Sequence, residues 1–414
     1  MKRTLSFGGP RELGLVVAGT SLIAGTYGLV RLAYGLYLSD IQASLHLSSA
    51  AVGYISSGAS VAYSVGALVG LLVERQPRLL VLGALLTGSV GSAGMALAPS
   101  AAAFVPTAIV ASAGAGLASP GMVGIVSRSL EARRQGHAQA VVNSGTGPGL
   151  VAAGALALVL LPQWRAGFVV GAVFTALAGI AVLLLDEARS TPPAKDPEGS
   201  SGRPGWRLVS DVRTPAAGAL LLGVASAAVW TYGRAQIVEQ GVGGTWSTIG
   251  WMTVGLGGTA TVLTAGRLDT WRPGAAWFST CVGVAVSIAT LALAAETLAL
   301  AMVACLVFGW AFVAATTALI AWVSTLVPER AAAGTSVVFI TLTMGQALGS
   351  ALAGNLAESG GLSLAFLVAA AIAVLGAACG AARGRRQNVP AEERSARGVD
   401  HGHAGDCRAI EAGQ

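Results

Sequence analysis

The chain has 414 residues, of which 54% are hydrophobic and only 11% charged, and its mean hydropathy is +0.70. A soluble domain carries about a quarter charged residues, so a soluble globular fold is excluded; stretches of roughly 20 or more uncharged residues recur, each long enough to cross about 30 Å of hydrocarbon as a helix. The short alternating segments of a membrane barrel do not appear, and the net charge of +6, which in a soluble chain would point to nucleic acid, lies in gaps and tails between apolar runs, so no nucleic-acid partner is expected.

Residues 1–12 form a short basic tail with Lys2, Arg3 and Arg11. They imitate the start of a secretory signal, but the run from Leu13 to Leu38 is too long for one and has no convincing small-residue cleavage site, so it is expected to stay as a first helix. Apolar runs between charged or Pro/Gly punctuation then predict helices at 13–38, 49–73, 79–99, 102–127, 137–161 and 165–186. A second six follow at 214–238, 246–266, 274–294, 297–325, 331–356 and 361–381. Between the two sets, residues 187–213 are rich in charge, Pro, Gly and Ser, the composition of a flexible, solvated linker. Residues 382–414 are polar and expected to be disordered.

With the N-terminus in the cytoplasm, 22 of the 25 Lys and Arg fall on the cytoplasmic side. That bias places both termini inside and the halves at 13–186 and 214–381, with the linker also cytoplasmic. The others are Arg165 in an outer loop and two arginines inside apolar runs, Arg31 and Arg234.

Cys281, Cys305, Cys379 and Cys407 have no metal spacing, and three of them lie in apolar helix, so packing is their expected role. His401 and His403 near Cys407 are read as adventitious at most, and no metal or cofactor is expected. No His, Cys or carboxylate constellation has catalytic spacing and no glycine loop ends in Lys-Ser/Thr, so neither an enzyme nor an ATP-driven pump is expected.

The loop after the second helix reads Gly70, Leu72, Glu74, Arg75, Pro77, Arg78, Leu79. An echo stands at the equivalent loop of the second half: Gly266, Arg267, Leu268, Asp269, Arg272, Gly274. The fifth helix holds Asn143, Gly145, Gly147, Pro148 and Gly149, whose Gly and Pro would kink it and allow close packing. Two six-helix halves, paired acid-and-arginine loops and this Gly-Pro stretch together resemble the major facilitator superfamily over about residues 10–385. The resemblance implies an all-α membrane fold of twelve helices in two pseudo-repeats and a secondary transporter working by alternating access. It also implies a cytoplasmic gate of Glu74, Arg75, Arg78, Asp269 and Arg272, whose ion pairs hold one conformation closed. The first loop departs from the family's G-x-L-x-D-R-x-G-R-K/R pattern at Glu74, Pro77 and Leu79. The Gly-Pro stretch resembles the motif of antiporter-type exporters, which favours efflux in exchange for protons, although the downstream Gly-Gly is missing. The fourth helix also departs: Ile109 and Val110 precede Gly114 and Gly116 where proton-coupled exporters carry an arginine.

Arg31 is the sharpest candidate. Helical spacing places Tyr27 and Tyr34 on its face, and an arginine within hydrocarbon is costly enough to demand a cavity and a partner. The segment also resembles the first helix of an uncharacterised bacterial branch of the superfamily. Arg234 holds the equivalent place in the seventh helix, and such a pair resembles the anion grip of organic-phosphate and carboxylate carriers, since guanidinium binds oxyanions bidentately. Both arginines stand far along their helices, roughly 27 and 30 Å from the inner ends, so snorkelling to the outer headgroups is the plain alternative. Asp40 and Glu239 are the available partners. Further candidates are the serines Ser57, Ser60 and Ser64, then Asn143, Trp310 and Gln346. No carboxylate sits near a helix midpoint, which leaves the coupling ion open.

The reading is therefore a monomeric secondary transporter that moves a small organic solute outward across the plasma membrane by alternating access, with protons as the coupling ion. Two arginines dominate the rival view, an uptake or exchange carrier for an organic anion bound by Arg31 and Arg234; a non-transporting membrane receptor or scaffold is the other rival. Two Lys against 23 Arg, with abundant Ala and Gly, suggest a GC-rich bacterium and its plasma membrane.

Overall fold

The computed structural model describes residues 9–187, 205–268 and 270–387, and all regular structure among them is helical. The chain opens with α1, Pro10–Leu45, which starts at a proline with Glu12 in its first turn and stops at His46 in the left-handed region (φ 53°). Then come α2 (Ser49–Leu72), α3 (Pro77–Leu97), α4 (Ala101–Ser129), α5 (Arg133–Leu160) and α6 (Trp164–Leu185). The Ser48 hydroxyl caps α2 by accepting from the Ala51 amide (3.2 Å). A break at Ser144 and Gly145 divides α5.

Beyond Gly205–Asp211, a short helix, follow α7 (Arg213–Glu239), α8 (Gly244–Leu268), α9 (Pro273–Leu293) and α10 (Leu298–Leu326). Ala331–Gln387 is two helices, α11 (331–360) and α12 (362–387), meeting at Gly361, whose φ of 83° only glycine adopts cheaply. Ten segments among the described residues are long and apolar enough to cross a membrane, one of them being Pro328–Gly380 with its bend.

The surface inverts that of a soluble protein. Leu97, Val159 and Leu263 are 79%, 81% and 85% exposed, while Ser92, Thr175, Gln236 and Thr280 are fully buried. This is a multi-pass membrane protein whose apolar side chains face lipid. In hydrocarbon, helices associate through close packing rather than hydrophobic burial, and the glycines supply it. A Cβ on Gly309 would strike the Val254 carbonyl of α8, and one on Gly257 would strike the Leu306 carbonyl of α10. Gly223, Gly345 and Gly349 bring α7 and α11 equally close.

Among the described residues, the main packing between the first six helices and the rest is α1 with α7, α2 with α11 and α5 with α8. The expected solvated linker differs in part. Gly205–Asp211 is helical because Leu208 and Val212, one turn apart, are buried, and Val212 lies near Gly334 at the start of α11. Most of the two tails, residues 188–204 and the cluster of His401, His403 and Cys407 lie outside the described residues.

Candidate solute-binding cavity

In α1 the residues Ala24–Leu32 form a π-helical stretch, a widening often found at functional sites. Gly28 lies in it, against the backbone of Gly149 in α5, where no side chain fits. The widened turn presents Arg31 to α2 and α11. Half-buried, its Nη2 donates to Gln346 Oε1 (3.2 Å) and to Ser60 Oγ (3.5 Å), while the guanidinium carbon lies 4.6 Å from the centre of the Tyr63 ring. Among the described residues no carboxylate is within ion-pair distance of Arg31. Its partners are all neutral.

Tyr27 acts one step removed. Its hydroxyl shares hydrogen bonds with Tyr63 (2.9 Å) and Ser119 (3.0 Å), which fixes the Tyr63 ring beside the guanidinium. Tyr34 is buried, donates to the Val52 carbonyl (3.5 Å) and lies beside Phe104. Arg31, Tyr34, Ser60 and Gln346 line one cavity of about 50 Å³, together with Ser56, Ser112, Trp230, Thr231 and Ser350. Of the expected serine stripe only Ser60 lines it. Ser56 stands in place of Ser57, and Ser64 instead pairs with Thr343 of α11 (2.7 Å).

The other candidates lie elsewhere. Arg234 is 5% exposed; it binds Asp40 (3.1 Å) and donates to the Leu36 carbonyl (2.9 Å), tying α7 to α1 beyond the cavity. The structure thus separates the two arginines expected to grip one solute. Asn143 is exposed and accepts from Gln139 (3.2 Å). Trp310 donates to Thr264 of α8 (2.8 Å) and does not line the cavity.

Around Asp40 the bundle is closed. Tyr232 donates to the Ser49 carbonyl (2.7 Å), Tyr54 to Asn355 (3.2 Å), and the Ala50 amide to the Glu358 carboxylate (3.2 Å). At the opposite end Glu74, Arg75, Arg267 and Arg272 are exposed, and none of the four makes an ion pair among the described residues. Asp269 lies outside those residues. Arg78 turns inward within its own half, donating to the Leu183 carbonyl (2.9 Å) and lying 3.4 Å from Asp186. Sequence reasoning placed Asp186 at the end of the sixth helix and gave it no role. It is 7% exposed and bound by both Arg128 (Nε at 3.0 Å, with Nη2 in closer contact) and Ser129 (3.2 Å). In the Gly-Pro stretch, Gly145 and Gly149 face α1 at Thr20 and Ala24, Gly147 faces Thr259 of α8, and Pro148 is exposed. The fifth helix is therefore wedged between α1 and α8.

A helical membrane bundle with a polar cavity lined by helices of both sets of six, and tied together across the Asp40 end, has the build of a secondary transporter, not of an enzyme. The chain belongs to the Major Facilitator Superfamily, whose sequence profile matches residues 20–342. It is similar in structure to the nucleoside transporter NupG (16% identity, 90% of this chain and 99% of that one, TM-score 0.72). Another similar structure is a bacterial homolog of the human lysosomal transporter Spinster in an inward-facing, unoccupied conformation (14%, 90% and 97%, TM-score 0.74). A D-xylose–proton symporter is also similar (15%, 89% and 96%, TM-score 0.67). At these identities the likeness is one of fold. No curated protein sequence matches.

Proposed function

We propose that this chain carries a small organic anion across the bacterial plasma membrane, and that Arg31 is the group that binds it. The protein works as a monomer of twelve crossings, with halves at 13–186 and 214–381 rocking about the cavity and both termini in the cytoplasm. One observation carries the reading: a guanidinium inside the helical bundle with only neutral partners, Gln346, Ser60 and the Tyr63 ring. A cation in that position is costly unless compensated, and a solute anion compensates it with bidentate geometry. Arg234 already has Asp40 and serves closure of the outer end. The loops around Glu74 and Arg272 then meet when the inner end closes.

The test is transport into proteoliposomes. Arg31→Gln should abolish uptake of any anion the native protein moves and Arg31→Lys should retain part of it; undiminished uptake by the Gln variant overturns the reading. Efflux in exchange for protons is a second reading, favoured by the wedge of Gly145, Gly147 and Gly149 between α1 and α8. Imposing a proton gradient should then accelerate solute exit; an unchanged exit rate removes it.

A further inference from the structure

We propose that the cavity selects a monovalent anion with a compact apolar body, a small monocarboxylate, over dianions and over uncharged solutes. This rests on the anion reading of Arg31 and adds valence and shape to it.

Charge counting comes first. Arg31 is the one charged residue lining the cavity among those described, and Arg234, the other arginine within the membrane, is neutralised by Asp40. One carboxylate brings the site to zero. A second would enter a poorly solvated space as an uncompensated charge, which is strongly disfavoured, and the surrounding hydroxyls of Ser56, Ser112 and Ser350 carry no charge to meet it.

The walls decide the rest. Ile55, Met95, Ala108 and Ala111 make part of the lining apolar, and the alanines are short enough to leave room for a few aliphatic carbons. Trp230 adds a rigid surface, held edge-to-face by Trp251 (6.2 Å between ring centres), Phe308 (5.4 Å) and Phe312 (5.3 Å). Its indole N–H is buried and has no acceptor among the described residues. With about 50 Å³ of space, the body is small. Gln346 and Ser60, which now accept from Arg31, are the groups the carboxylate displaces.

Binding to the purified full-length protein, measured by calorimetry and by thermal shift at neutral pH, tests this with four probes: isobutyrate, acetate, succinate and isobutyramide. Isobutyrate should bind at least about tenfold tighter than succinate and isobutyramide, a difference of about 1.4 kcal/mol, and Arg31→Gln should erase its advantage over the amide. Succinate binding as tightly as isobutyrate overturns the valence assignment and leaves the anion reading standing. Equal binding of isobutyramide and isobutyrate overturns both. Failure of both monocarboxylates to bind at millimolar concentration overturns the present proposal, while the anion reading is then judged by the Arg31 transport assay. The four-probe comparison uses the native chain, so it stands even where the Gln variant does not fold.

Discussion

Asp40→Asn removes the charge that compensates Arg234 while keeping the size of the side chain. The Arg234 side chain is 6% exposed and that of Asp40 21%, 3.1 Å apart, so the pair lies between two regimes. Breaking a fully buried pair costs about 3–5 kcal/mol, whereas an exposed one is worth about 0–1 kcal/mol. Partial exposure of Asp40 and the retained bond to the Leu36 carbonyl set the cost near the middle, about 2 kcal/mol, and it falls on the arrangement in which α1 meets α7. At about 1.4 kcal/mol per factor of ten, the population open at the Asp40 end rises about 30-fold. Thr231 reports this, since it is 4% exposed and lines the cavity below the closure. In a background with Cys281, Cys305, Cys379 and Cys407 replaced, a Thr231→Cys thiol should react about 30-fold faster with an impermeant maleimide added on the Asp40 side, by the same conversion. Equal rates with and without Asp40→Asn, at unchanged melting temperature, would refute the assignment of this pair to closure.

Three further outcomes follow from the packing. Asp186→Asn strands Arg128 at the end opposite Asp40 and should lower stability by about 1–3 kcal/mol, a range discounted for solvent around the arginines; in thermal unfolding, Arg128→Ala should cost more than Arg78→Ala, whose side chain is 59% exposed. Gly28→Val drives a branched side chain into the backbone of Gly149 and should cost about 1–3 kcal/mol by overpacking, whereas Gly136→Ala, inside a helix with open space around it, should raise stability by about 0.5–1 kcal/mol. A double-mutant cycle of Ser64→Ala and Thr343→Val, whose hydroxyls are 2.7 Å apart, should give a coupling of about 0.6 kcal/mol, the average for such bonds between membrane helices.

Helix positions were legible because long uncharged runs have few other uses. The end of α1 was not: Asp40 and Gln42 read as the start of an outer loop, yet the helix continues to Leu45, since Arg234 supplies the charge that lets Asp40 stay at the interface. Arg31 and Gln346 stood out as polar groups in apolar surroundings, and the structure joins them across 3.2 Å. Tyr63 carried no comparable signal, because a tyrosine in a membrane helix suits the headgroup region as well as a cavity. The π-helical stretch was equally silent; it changes which residues share a face, so Tyr27 reaches Arg31 through Tyr63 rather than directly. Ser56 replaced Ser57 because neighbouring residues on a helix point about 100° apart, closer than a sequence pattern resolves. The paired loops named charges but not which conformation joins them.

The neutral company of Arg31 also has an electrical meaning. A site holding one guanidinium and one carboxylate is neutral, while the empty site carries one positive charge. When the halves rock, the membrane field moves across the site, so the empty step moves up to one elementary charge through the potential, worth about 2.3 kcal/mol per 100 mV. If Arg31 binds a monocarboxylate as proposed, a negative interior draws the vacant carrier toward its inward-accessible form, and the loaded step is indifferent to voltage. An anion exporter built this way takes its driving force from the membrane potential itself, with no titrating carboxylate required in the cavity.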